Sequence, residues 1–106
     1  MNKHKFIKPW SSIDEFPPSN KKAIEEEVNK EILKNHPLYG RNLKTIARRE
    51  DCDDILFQIE NSQKVAYVHL TWSSKKEFSD FPITVIYENI EEFKTTKMKD
   101  DAKESI

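Results

Sequence analysis

The run "VAYVHLTW", Val65 to Trp72, is dense in β-branched and aromatic residues and is the clearest strand in the chain. Any fold that forms must place this segment in a sheet. Upstream, "ILFQIE" puts Ile55, Phe57 and Ile59 on one face of a strand, and "NLKTIARR" reads as a strand before it. The charged run "RREDCDD" and the segment "NSQK" are polar and short enough to be hairpin turns. Three strands joined in this way predict an antiparallel meander. The stretch "SSKKEFSDFP" reads as a loop whose Pro82 limits pairing, followed by a fourth strand, "ITVIY", with an open place in the sheet.

Helices are expected on both sides of these strands. After "FPPSN", with Ser19 as candidate N-cap, Ile24, Val28 and Ile32 recur at i, i+4, i+8, widened by Ala23 and Leu33. Pro37 biases His36 away from helical dihedrals and Gly40 eases a turn, so the helix should stop near Asn35. "ENIEEFKTTKM" places Ile90, Phe93 and Met98 on one side of a short helix with an acidic start and a basic end, as the helix dipole favours. The predicted organisation is one α+β domain over 1–106. It comprises an irregular arm (1–18), a helix (20–35), a three- to four-stranded, mainly antiparallel sheet (42–87), a short helix (89–98) and a solvated tail (99–106).

Composition bounds the function. A chain of 106 residues supports one core, burying roughly two-thirds of the surface its unfolded form exposes. Charged residues make up 35% of it, yet six Phe, three Tyr and two Trp supply apolar groups that disordered chains lack. A net charge of −1 removes the basic footprint of a general nucleic-acid binder. No long apolar run marks a membrane span, no signal-peptide core follows "MNKHKFIK", and one cysteine makes no internal disulfide. A cytoplasmic location is therefore the expectation.

Lysine outnumbers arginine fifteen to three, and Arg41, Arg48 and Arg49 all fall within nine residues, beside the sole glycine, Gly40, and the sole cysteine, Cys52. Arginine offers a planar fork of donors that lysine lacks, so this confinement makes the three arginines candidate ligand-binding residues. Catalytic candidates are His69, whose unperturbed pKa lies near neutrality, with Asp51, Asp53 or Asp54 as carboxylate partner. Against each stands a plainer role. His69 suits a half-buried strand histidine bonded to a carboxylate, and "RREDCDD" suits a hydrated turn whose charges pair among themselves.

Carboxylates beside Cys52 disfavour its thiolate, and a chain with one glycine has no Gly-rich phosphate loop. The Asp, Cys and His spacing matches no metal motif, so no metal or cofactor is expected. Tyr67 and Trp72, near Lys75 and Lys76, form a candidate stacking surface, although core anchoring is the commoner use of such aromatics.

From His36 to Phe93, the ordered segments "HPLYGR", "IARREDCDDILF", "VHLTW", a proline-led strand and "EEF" resemble a pattern of small bacterial proteins to which no activity is assigned. The resemblance implies that Arg41, the Arg48 to Asp54 run, His69 and Trp72 belong to one unit. Hairpin geometry nevertheless separates "HPLYGR" from the acidic turn by a strand length, roughly 20 Å. With no recognisable catalytic spacing, the leading expectation is a cytoplasmic protein-interaction module, of an immunity or toxin-neutralising kind, with a protein partner and no nucleic acid. The alternative is a small enzyme or anion-binding domain that uses His69 with the charged turn.

Overall fold

A computed structural model describes residues 6–32, 36–52, 54–70 and 83–104. Among them, five strands form one antiparallel sheet in chain order: β1 (Trp10–Ser12), β2 (Leu43–Arg49), β3 (Asp54–Ile59), β4 (Val65–His69) and β5 (Ile83–Tyr87). The meander is as the turn spacing predicts, and "ITVIY" takes its place beside β4. β1 is the additional strand. It belongs to the segment expected to be an irregular arm, because three residues of "WSS" carry no readable period.

Helix α1 (Pro18–Glu31) starts earlier and ends earlier than its pattern predicts. Pro18 stands at the first helical position, where a missing N–H costs nothing, so Ser19 lies inside the first turn and does not cap it. Ile32 already has extended backbone, and it remains buried. The inward stripe of α1 is Ile24, Glu27, Val28 and Glu31, while Ala23 faces solvent. Two carboxylates thus occupy positions that hydrophobicity alone assigns elsewhere, and neither is without a partner. Leu33 lies outside the described residues.

Each face of the sheet carries a core. On one, α1 packs Ile24 and Val28 against Ile55, Phe57, Ile59, Ala66 and Val68. On the other, Trp10, Ala47, Leu56 and Val65 meet Phe93 and Met98 of the C-terminal helical run. The segment around β4 thus serves two cores, through Ala66, Val68 and Leu70 on one face and Val65 on the other.

The C-terminal run comprises α2 (Ile90–Phe93), a π-helical turn (Lys94–Met98) and α3 (Lys99–Glu104). Asn89 caps it by accepting a hydrogen bond from the Glu92 amide at 2.9 Å. Phe93 and Met98 are five residues apart and would diverge on a regular α-helix; the π-turn brings both inward. The same turn carries the helix past 98. The segment expected to be a solvated tail is α3, and its Asp101 is buried. No helix among the described residues is long and apolar enough to cross a membrane.

Candidate functional site

A bulge in β2 selects the residues that meet at the site. Register runs Leu43 opposite Ile59 and Thr45 opposite Phe57, then slips at Ile46 so that Ala47 stands opposite Leu56. In a regular strand Leu43, Thr45, Ala47 and Arg49 would share a face. The extra residue reverses the alternation, placing Ala47 in the C-terminal core, Arg48 on the α1 side and Arg49 on the α3 side, the reverse of their places in a regular strand. Arg48 Nη1 donates to Asn20 Oδ1 at 3.0 Å, and its guanidinium lies 5.2 Å from the Phe16 ring on the α1 side. Arg49 faces α3. The two arginines do not form a shared anion clamp.

On the α3 side, Arg49 forks onto Asp51, Nε to Oδ1 at 2.8 Å and Nη2 to Oδ2 at 3.1 Å. Its Nη1 lies 3.3 Å from Asp101 Oδ1. This pairing, chiefly with Asp51, pushes the guanidinium pKa up and holds the Asp51 carboxyl below its ordinary range. Asp101 also accepts from Trp10 Nε1 at 2.8 Å and from Lys97 Nζ at 2.8 Å. A carboxylate 1% exposed is tolerable because three donors satisfy it.

Beside this network, Asp54 stands opposite His69 in the β3–β4 register. Asp54 Oδ1 lies 2.5 Å from His69 Nδ1, and Oδ2 accepts from the Tyr67 hydroxyl at 2.7 Å. Burial, reinforced by the Asp54 bond, pushes the Tyr67 phenol pKa well above its ordinary value. Lys97 Nζ sits 4.9 Å over the Tyr67 ring and so links the two carboxylate centres. Asp54 is buried, whereas the His69 side chain is 47% exposed. In the tautomer with its proton on Nδ1 facing Asp54, the imidazole keeps its lone pair on Nε2, an arrangement suited to proton abstraction.

The sequence candidates thus divide. Asp54, His69 and Tyr67 meet; Asp51 joins Arg49 at the rim; Arg48 belongs to the opposite face. Arg41 is exposed before β2, at the other end of that strand from Arg49, as hairpin geometry requires. Asp53 and Trp72 lie outside the described residues. Burial pushes the Cys52 pKa up, against a backbone hydrogen bond at Asp54 that lowers it and with the Asp54 carboxylate raising it further, which disfavours the nucleophilic thiolate. Among the described residues, no group of three or more His, Cys, Asp or Glu is placed to hold a metal ion.

Sequence reasoning missed Trp10, Lys97 and Asp101. The signal available for the latter two was their i, i+4 spacing of opposite charges. It also missed the sheet edge. β5 pairs with β4, and among the described residues no strand pairs with its other side. Val85 and Ile86, which point to opposite faces, are 43% and 39% exposed. Compared with family models, curated proteins and solved structures, the chain matches none.

Proposed function

We propose that the chain is a cytoplasmic protein-interaction module that binds a partner strand along β5. The observation that carries this reading is the uncharged edge "ITVIY", with apolar side chains exposed on both faces of the sheet. An edge strand offers unpaired backbone donors and acceptors, and strand addition is a recurring mode of recognition. The polar centres support the same reading, since Asp54, Arg49 and Asp101 each have partners within the fold. Such a module suits a blocking role of the immunity or toxin-neutralising kind, in which complementarity takes the place of chemistry. Kinship with the small bacterial proteins that share the "HPLYGR" to "VHLTW" pattern is part of this proposal.

The test is photo-crosslinking in cells from a reactive residue at position 85, with exposed Lys30 on α1 as the control position. A discrete adduct from 85 and none from 30 is expected. Absence of any adduct from 85 would overturn the reading.

The Asp54–His69 pair supports a second reading, an acid–base enzyme with His69 as base. It requires a hydrolase or isomerase activity that His69→Ala abolishes while the melting temperature stays unchanged. A substrate screen in which wild type and variant are equally inert would remove it.

A further inference from the structure

Resting on the interaction reading, we infer that the strand occupying the β5 edge is β5 of a second copy, paired antiparallel about a two-fold axis through Val85. The two edges of the sheet differ in kind. β1 has three residues, with Trp10 and Ser11 buried. β5 has five, and carries none of the charges, prolines or glycines that protect free edges from pairing.

The two-fold arrangement sets Val85 opposite Val85, Thr84 opposite Ile86 and Ile83 opposite Tyr87, so every facing pair is uncharged. A partner strand must offer apolar side chains to both faces, and β5 itself does so through Val85 and Ile86. Charge selects the direction. Glu88, whose side chain is 74% exposed, follows β5 directly. Parallel pairing would bring the two Glu88 carboxylates to a strand spacing, about 5 Å. Antiparallel pairing sets them six positions apart, about 20 Å, beyond the roughly 8 Å screening length of physiological salt.

Closure favours the same contact. β5 on β5 uses one patch twice and stops at two copies, whereas β5 on β1 repeats head to tail without closing. A five-residue edge covers less than the roughly 1,600 Å² of a standard interface. The dimer should therefore form at micromolar concentrations or above.

Sedimentation velocity on the full chain, from low micromolar to near-millimolar concentration, tests this. Wild type is expected to pass from one to two copies in mass, and Val85→Lys to remain monomeric with an unchanged far-ultraviolet spectrum and melt. Ile86→Lys, on the opposite face, supplies an independent variant should Val85→Lys fold poorly, and Val85→Leu should retain the dimer. A wild type that stays monomeric throughout, or lysine variants that fold and dimerise like it, would overturn the inference. A position-85 adduct containing a different protein, with a monomeric wild type, would overturn the second copy but leave the interaction reading intact. No adduct and no dimer would end both.

Discussion

The β1 side and the β5 side of the sheet end in opposite ways. At β1, Trp10 is buried with its indole N–H on Asp101, and Arg49 and Lys97 complete that carboxylate's shell. At β4 the polar groups open outward, through half-exposed His69, and on β5 Val85 and Ile86 are exposed. The C-terminal helical run packs on both sides, Phe93 meeting Trp10 at 5.0 Å and Tyr87 at 5.7 Å, so the difference lies in the buried polar network around Asp101. A side whose side chains are buried in such a network contributes to stability, and one whose apolar side chains reach solvent is available for recognition.

If the β1 side is the structural one, its substitutions should be the costliest. Trp10→Ala removes a fully buried indole that packs edge-on to Phe93 at 5.0 Å and to Tyr67 at 6.3 Å. A loss of about 4 kcal/mol is expected, a large fraction of the stability of a domain this size. Urea titration gives the value. A loss below that of a surface substitution would show that the helical run holds this side without the indole.

Asp101→Ala ranks second, at about 3 kcal/mol, because it leaves the Trp10 N–H, Arg49 and Lys97 without their shared acceptor. Lys97→Met in the same background should recover part of that loss by removing one stranded charge. Additive losses in the double variant would show that Lys97 finds another partner.

These two residues also mark where sequence reading ended. The meander was legible because each hairpin strand carries a period of two and each turn carries polar residues, as at Asn61, whose φ of 66° is a left-handed turn conformation. The Asp54–His69 pair was legible in part, since hairpin register brings the acidic turn and the "VHLTW" strand together. The bulge at Ile46 was not legible. It is decided by packing between two cores, and it sets which of Arg48 and Arg49 faces α1 and which faces α3. Nor was the burial of Asp101, because the π-turn that rotates it inward leaves no mark in a charged segment.

On the open side the expected effects are smaller. Tyr67→Phe deletes the hydroxyl bonded to Asp54 and should cost about 1 kcal/mol near neutral pH. Its pH dependence separates the hydrogen bond from general packing. The Tyr67 phenol is raised above its ordinary value of 10 in the fold. Its contribution is therefore fully present below pH 10 and is lost above it, where the unfolded chain releases the proton and the folded chain retains it. Wild-type stability should fall as pH rises past 10, and Tyr67→Phe should flatten that slope. It should not abolish it, because Tyr87 is raised in the same direction, mainly by burial. An unchanged slope in the variant would assign the alkaline loss to other groups.

The smallest effect is expected where the charges are densest. Asp51 and Asp101 hold the same guanidinium, Asp51 through the better fork, yet Asp51 lies in solvent and Asp101 in the core. Solvent screening and the entropy of a turn side chain offset most of what an exposed ion pair gains. The lowered Asp51 pKa makes its contribution one that is present above the ordinary carboxylate range and lost in acid as the group protonates. Asp51→Asn should therefore leave the melting temperature at pH 7 within error of wild type and slightly reduce the loss of stability on acidification. If Asp51→Asn instead melted as low as Asp101→Ala, the weight of the network would rest in the turn "RREDCDD". The buried carboxylate would then be a consequence of how that turn is held.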